Sequence, residues 1–505
     1  MTETSTNPSA GNPGLPPTSG TFDSLDPGSG EVIGTYPVHG PDDVSAALDA
    51  ARIAQQWWWD LGWQERKKRL LAWRSYLRSH MDELADLVHR ETGKPTWDAE
   101  SVDVIATVIH LDWAAKHAEK TLATRRVAPG ILAHLRAEIS YEPHGVVGVI
   151  GPWNYPLFTP MGSISYALAA GNAVIFKPSE FTPATGVWLA ESFRAVVPEQ
   201  PVLQTLTGYG PTGQALVESG VDKVSFTGSA KVAKAIGAMC GERLIPYSPE
   251  AGGKDAVVVD HDADLTRAVR GALWGAVMNS GQSCAGVERV FVHQDIYEEF
   301  MDRLVIAARE LRAGSDTGAH YGPITRPAQY DLVRSHFDAA VSSGADIRVG
   351  GAASFRRPYI DPVVLTNAPD DSMVMQEETF GPLMVVEKVR DSEEAIASSN
   401  AHDYGLGAAV YSKRNGPEIA RRLRTGMVSI NAVLVQGAVP SLPWGGLGHS
   451  GYGRIHGEEG LRSFGRSKSI VNPRFGLPAF ADVYSFEASE QTKETFRVVT
   501  KLLFT

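Results

Sequence analysis

The spacing of apolar positions changes character along the chain. Residues 42–125 read as helices, and Trp57-Trp58-Trp59 lies among them, an aromatic cluster expected in the core. From Gly145 onward, short continuous apolar runs alternate with helical stretches. Val146-Val147-Gly148-Val149-Ile150 reads as a strand. A helix around 160–170 follows, then the strand Ala173–Phe176, a helix over 183–196, a strand over 202–206 and a helix over 212–219. The strand Val224-Ser225-Phe226, a helix over 230–240 and a strand near Leu244 complete the series. Strands alternating with helices of this length predict a parallel α/β sheet with nucleotide-binding potential. Residues 253–435 repeat the alternation and suggest a second α/β domain. There a helix begins at about Asp264, with Leu265, Val269, Leu273 and Val277 on one face, Gly281 as its stop, and a strand from Val287 to Val292. The extended segments 126–143 and 467–475 lie outside both regions and are expected to pair with each other or with another subunit. Residues 1–20, rich in Ser, Thr, Gly and Pro, are expected to be disordered. Residues 492–505, with Phe496, Val499, Leu502, Leu503 and Phe504, read as a short apolar-faced helix packed on the protein body.

Composition narrows the function classes. A chain of 505 residues, 43% hydrophobic and 21% charged, reads as a soluble globular protein of two or three domains. A net charge of −11 without a basic block argues against nucleic-acid binding. No apolar run approaches the roughly 18 residues of a membrane span, and the N-terminus lacks a charged region followed by an apolar one, so no span and no signal peptide are expected. Two cysteines supply neither a disulfide framework nor zinc spacing. A cytoplasmic protein without a metal site is expected.

One of those cysteines sits in Gly281-Gln282-Ser283-Cys284-Ala285-Gly286, between helix and strand. A thiol among small residues there can be approached as a nucleophile, although a free cysteine is more often a buried small hydrophobe. Four further stretches carry chemistry. In Gly151-Pro152-Trp153-Asn154-Tyr155-Pro156, after a strand, Asn154 is an oxyanion donor or a turn residue. In Lys177-Pro178-Ser179-Glu180 the lysine and carboxylate hold ribose hydroxyls or cover a solvated turn. In Phe226-Thr227-Gly228-Ser229 a helix start meets phosphate or is simply capped. In Glu250-Ala251-Gly252-Gly253-Lys254, Glu250 is a mobile general base or a surface carboxylate. Gly208/Gly210/Gly213 and Gly446/Gly448/Gly451 match G-x-G-x-x-G, but the second lacks the strand-then-helix setting and Pro211 interrupts the first.

Taken in order with Glu378-Thr379-Phe380-Gly381-Pro382 and Pro443-Trp444-Gly445-Gly446, these motifs resemble the aldehyde dehydrogenase superfamily from about Phe22 to Phe475. The 34-residue gap from Glu250 to Cys284 matches the family pattern. The resemblance implies an α/β fold with a Rossmann-like NAD-binding domain (21–125 and 144–252), a catalytic domain (253–453) and a small bridging β element (126–143 and 467–480) for a homodimer or homotetramer. A tail over 481–505 follows. It implies Cys284 as nucleophile through a thiohemiacetal and a thioester, Asn154 with the Cys284 N–H as oxyanion site, and Glu250 as the base that activates water. Lys177 and Glu180 would bind the adenosine ribose, Gly210 and Pro211 border the adenine, and Ser229 touch the pyrophosphate. Glu378 and Phe380 would place the nicotinamide ribose and ring. Pro152, Trp153, Ser179, Phe226, Gly228 and Ala251 are expected in the same cofactor wall. Glu180 favours NAD over NADP, because a carboxylate accepts from a 2′-hydroxyl and repels a 2′-phosphate.

Departures from the pattern are Pro249 and Ala251 around the base, Ala233 where glycine is frequent, and Gly448 where many members have lysine. With His456-Gly457, the last resembles class-3-like and some semialdehyde branches. Tyr155, Phe158, Trp444 and loop 432–442 would line an apolar entrance, and no arginine occurs between 154 and 193 to hold a far carboxylate. A hydrophobic aliphatic or aromatic aldehyde is therefore expected. Succinate semialdehyde, CoA-acylating chemistry and a cysteine esterase are the alternatives.

Overall fold

The computed structural model describes residues 16–130, 132–475 and 490–503. The first alternating stretch forms a five-stranded parallel sheet in the order Leu203–Thr205, Ala173–Lys177, Val146–Ile150, Lys223–Gly228, Tyr247–Ala251. Every residue of the strands Val146–Ile150 and Ala173–Lys177 is buried, as apolar runs covered on both faces must be. Chain order reverses between Val146–Ile150 and Lys223–Gly228. The loops leaving the C-terminal ends of these two strands therefore bound a crevice at a topological switch point, where doubly wound sheets place ligands.

The outermost strand corrects the expectation of a strand near Leu244. Leu244 is 90% exposed and turns the chain at φ 55 after the helix Ala230–Glu242; the strand is Tyr247–Ala251. Its sequence, Tyr-Ser-Pro-Glu-Ala, carries little apolar signal. Pro249 is tolerated because this strand has only one neighbour in the sheet. Glu250 thus sits opposite Thr227 on a paired strand, not in a turn free to swing.

The turn Gly252-Gly253-Lys254 leads directly into a second, seven-stranded sheet. Its order is Asp346–Val349, Val363–Thr366, Leu383–Val389, Val287–His293, Asp255–Val259, Gly407–Tyr411, Met427–Ile430, parallel except for the first strand. The helix Leu265–Val277 is capped by Asp264, whose Oδ1 accepts from the Arg267 N–H at 3.1 Å. It ends at Val277, before Gly281.

The two extended segments do pair with each other. Leu135–Pro143 lies between Arg125–Val127 and Gly465–Pro473 in a three-stranded antiparallel sheet. The helices Pro41–Asp60, Gly62–Ser79, Met81–Thr92 and Ala106–Leu122 cover the first sheet region, preceded by an unforeseen hairpin, Thr21–Leu25 with Val32–Pro37. Of the tryptophan triplet only Trp58 is fully buried; its Nε1 donates to the Leu168 carbonyl at 2.8 Å. Trp57 and Trp59 lie beside the Arg69 and Arg66 guanidinium groups.

The tail helix forms, as Glu490–Leu503, but Phe496, Val498, Val499 and Leu502 are exposed, so the expected packing on the body is not found among the described residues. Residues 1–15 of the N-terminal tail, 476–480 of the bridging element, 481–489 and Phe504 lie outside the described residues, as does the Leu503 side chain. No described helix is long and apolar enough to cross a membrane.

Candidate active site

Cys284 follows a tight reversal between the helix ending at Val277 and the strand starting at Val287. Asn279, Ser280 and Gly281 all have left-handed backbones, at φ 52, 59 and 71. Two non-glycine residues in that region are strained, so the surroundings must hold them. Asn279 Nδ2 donates to the Asn154 carbonyl at 3.0 Å, and Ser280 Oγ to the Gly322 carbonyl at 2.8 Å. Gln282 Nε2 donates to the Asn279 carbonyl at 2.9 Å, while its Oε1 accepts from the Thr325 N–H at 2.9 Å. Gly281 is required by close approach: a Cβ there would stand 2.2 Å from the Gly381 backbone.

The three residues singled out for chemistry come together at this turn. Asn154 is buried, and its Nδ2 donates to the Gln282 carbonyl at 3.0 Å, two residues before the thiol. Glu250 is buried with no hydrogen-bond partner on either carboxyl oxygen among the described residues. Burial raises its pKa to about 7. Burial, and then the Glu250 charge, push the Cys284 thiol well above its ordinary value. Near neutral pH the pair therefore holds a protonated thiol beside a carboxyl group poised to take a proton.

Two cavities meet at Cys284 and Glu250. One, of about 240 Å³, is walled mainly by apolar and aromatic side chains, among them Tyr155, Phe158, Trp274, Met278, Val433 and Trp444. The other, of about 700 Å³, is the crevice of the five-stranded sheet. Pro152, Trp153, Lys177, Ser179, Glu180, Gly210, Pro211, Phe226, Gly228, Ser229, Glu378 and Phe380 all line it. Ala251 does not: it is fully buried in the core on the strand position after Glu250, which turns its side chain away from the cavity.

The donors and acceptors along this crevice fit a dinucleotide. Two helices start on it, Gly210–Glu218 and Ala230–Glu242, the latter capped by Ser229, and helix starts offer N–H groups to a pyrophosphate. Glu180, in the turn three residues after the strand Ala173–Lys177, pairs with buried Lys177 at 3.6 Å, an acceptor next to a donor for a ribose. Glu378 Oε1 has no partner among the described residues, leaving a second acceptor; burial and the nearby Glu288 charge hold its carboxyl well above the usual range. Phe380 meets the Trp153 ring edge-on at 5.5 Å.

Several supporting residues escaped sequence reasoning. Buried Lys94 donates to Asp103 at 2.6 Å and to the Asn154 carbonyl at 2.8 Å, with its Nζ 4.2 Å from the Tyr155 ring centre. Asp103 also accepts from the Phe158 N–H at 3.2 Å. On the other side, Lys254 is ion-paired with Glu288, whose carboxylate accepts from the Thr379 N–H at 2.9 Å and the Phe380 N–H at 2.8 Å. Ser450 Oγ donates to the Gly252 carbonyl at 2.7 Å, and Gly451 bridges to Glu250. The second glycine triplet therefore buttresses the strand carrying Glu250. Two of them had a signal: Lys254 in its place in the glutamate motif, and Gly451 in the second glycine triplet.

The aldehyde dehydrogenase family model matches residues 15–470. A Methylomonas sp. protein named 4,4'-diapolycopene aldehyde oxidase is 35% identical over 93% of this chain and 89% of its own. A Mycobacterium bovis protein whose name carries succinate-semialdehyde dehydrogenase and NADP(+) is 34% identical over 89% of this chain and 90% of its own. Among solved structures, PnpE from Pseudomonas sp. WBC-3 superposes with a TM-score of 0.86 at 32% identity, covering 92% of this chain and 96% of that one. PnpE has also been solved in complex with nicotinamide adenine dinucleotide.

Proposed function

The chain belongs to the aldehyde dehydrogenase family, NAD(P)-dependent oxidoreductases acting on aldehydes, and from that premise we propose that it oxidises a hydrophobic aldehyde to its acid through a covalent Cys284 intermediate. The carrying observation is that an apolar cavity and a crevice lined by donors and acceptors suited to a dinucleotide share two residues, Cys284 and Glu250. The substrate enters through the apolar cavity and its carbonyl carbon meets the Cys284 sulfur. Glu250, in its ionised form, takes the thiol proton as the C–S bond forms. The Asn154 amide has a second N–H beyond the one held by Gln282, and with the Cys284 N–H it steadies the oxyanion of the thiohemiacetal. The dinucleotide, when bound, supplies the hydride acceptor. Hydride loss leaves a thioester on Cys284; Glu250, having released the thiol proton to solvent, draws a proton from water, whose oxygen attacks the thioester carbonyl, so that the Cys284 thiolate leaves and the acid is released.

We infer NAD as the preferred cofactor because Glu180 stands where the adenosine ribose would lie, and a carboxylate repels a 2′-phosphate. The region of the first sheet would bind the dinucleotide and that of the second would carry the nucleophile. The three-stranded sheet would join subunits into a dimer or tetramer. The name of the mycobacterial relative points to a semialdehyde and NADP(+). Against it, neither lysine nor arginine lines the apolar cavity among the described residues, so nothing there balances a far carboxylate. Glu250 argues against CoA acylation, which does without a hydrolytic base, and the dinucleotide crevice would be idle in an esterase.

The test is reduced-cofactor formation from hexanal, benzaldehyde and succinate semialdehyde, with NAD or NADP, with and without CoA, for wild type and Cys284→Ser. Wild type should prefer hexanal or benzaldehyde with NAD, independent of CoA, and Cys284→Ser should be inactive. Activity surviving in Cys284→Ser would overturn the covalent mechanism. Preference for succinate semialdehyde or for NADP would overturn the substrate or cofactor assignment.

A further inference from the structure

The wall of the aldehyde cavity contains a second buried polar feature that the reaction above does not use. His456 lines the cavity, and its ring lies 4.0 Å from that of His110, centre to centre, tilted by 51°. Both side chains are buried. His110 Nε2 lies 2.9 Å from the Gly437 carbonyl. A carbonyl only accepts, so this nitrogen carries the proton and His110 Nδ1 is a bare acceptor. That Nδ1 has no partner among the described residues, and neither nitrogen of His456 has one. Three orphaned ring nitrogens in one place cost the fold stability unless something else satisfies them.

The placement of the His456 ring is also built in. Its backbone stands at φ 62 and ψ 166, a region almost confined to glycine, so the chain holds a strained conformation to put an imidazole there. Across from it, on the helix Phe158–Ala169, Gly162 makes room: a Cβ at that position would come within 2.5 Å of His456 Nε2. A glycine inside a helix lowers helix stability, which a ring needing that space explains. Phe158, Tyr166 and Trp444 surround the imidazole with aromatic faces.

Charge limits what the pair can bind. Burial holds His110 down to about 4, and burial together with neighbouring His110 holds His456 well below its ordinary value. Both rings are neutral at physiological pH. A neutral imidazole offers one donor and one acceptor, the complement of an uncharged oxygen function and a poor match for a carboxylate.

We propose that His456, backed by His110, is a hydrogen-bonding subsite of the aldehyde cavity that takes a hydroxyl or keto oxygen carried on an otherwise apolar aldehyde. The preferred substrates are then oxygenated aldehydes rather than plain alkanals or semialdehyde acids. This rests on the reading that Cys284 oxidises an aldehyde at the inner end of the same cavity.

The experiment compares chain-matched aldehydes: a plain n-alkanal, hydroxy- and oxo-alkanals with the oxygen at successive carbons, and the corresponding ω-carboxylate. The readout is the ratio of kcat/KM for each oxygenated aldehyde to that of its plain parent, which general damage to the enzyme does not move. In wild type the ratio should reach about tenfold or more at one or two oxygen positions, since a site built to pair an oxygen discriminates against its absence. The carboxylate should gain nothing. His456→Phe keeps an aromatic ring without nitrogen, and His456→Gly relaxes the backbone; in both the ratio should fall to about one. A wild-type ratio near one at every position, or a ratio retained in both variants, overturns the subsite. If plain alkanals are oxidised in that case, the Cys284 reading stands without it. Absence of NAD-linked oxidation of any aldehyde overturns that reading, and the subsite with it.

Discussion

Burial of Glu250 has two consequences that can be separated by pH. The carboxyl is neutral below about 7 and ionised above it, because burial penalises the charged form. As a base it works only when ionised, so kcat should rise with pH through about 7. Glu250→Gln should lower kcat by about 10²–10⁴ and remove that limb, read in a pH–rate profile. Stability moves the opposite way. The folded pKa lies above the ordinary 4.5, so the stabilisation from the buried neutral form is complete below 4.5 and lost as pH rises through 7. Glu250→Gln should therefore match wild type in urea at pH 4.5 and exceed it at pH 9, by on the order of 1–3 kcal/mol. An equal difference at both pH values would contradict the shifted carboxyl. Cys284, Asn154 and Glu250 could be singled out because their motifs follow one another in the order of a known family; alone, each run also admitted a turn, surface or core reading. Their titration was not legible, since the burial of Glu250 depends on Gly451 and Trp444, about 200 residues downstream. Ala251 was misplaced for a related reason: a motif names neighbours, but a strand sends consecutive side chains to opposite faces.

At the scale of elements, the site is a set of loops pinned by two buried ion pairs. Lys94–Asp103 holds the loop carrying Asn154, and Lys254–Glu288 holds the loop carrying Glu378 and Phe380. Lys94→Met leaves Asp103 buried without its partner, and should destabilise the fold by about 3–5 kcal/mol in a denaturant titration. Lys94→Met with Asp103→Leu removes both charges and should recover most of that loss. Activity should stay depressed in the double variant, because the Asn154 carbonyl has still lost its Lys94 donor. Full recovery of kcat would show that the pair only stabilises. The nucleophile turn is equally specific: Gly281→Ala puts a Cβ 2.2 Å from the Gly381 backbone at φ 71, so kcat should fall even where far-ultraviolet dichroism shows the fold retained. Strands and helices with strong apolar periodicity were legible to within a few residues. The edge strand Tyr247–Ala251 was not, because a strand that takes its burial from Ser450 and Gly451 need not be apolar itself. Lys254–Glu288 was invisible because it spans 34 residues of chain, and the hold of Lys94 on the site because it reaches the Asn154 carbonyl across 60.

At the scale of the molecule, the two extended segments that belonged to neither alternating region pair in one antiparallel sheet, and their position outside both regions was the legible sign of a separate sheet. The strand Gly465–Pro473 forms the outer edge of that sheet, with Ile470 40% and Val471 59% exposed. A long edge strand bearing exposed β-branched residues is a template for pairing, and proteins that leave one open usually blunt it with charge, a bulge or a cover. Arg466 and Lys468 supply the charge here, at the end of the strand where Glu142 on the neighbouring strand lies opposite Arg466 and pairs with Lys468, so the stretch around Ile470 and Val471 remains competent to pair. Sedimentation of the full chain should therefore show a dimer or tetramer. Val471→Lys places a charge on an already exposed position, so it should shift the population toward smaller species without lowering the unfolding midpoint at matched subunit state. A wild-type monomer at micromolar concentration would show that this edge is not an interface. A Val471→Lys protein of unchanged mass would place the contact elsewhere, and the exposed apolar positions of Glu490–Leu503 would be the next surface to charge.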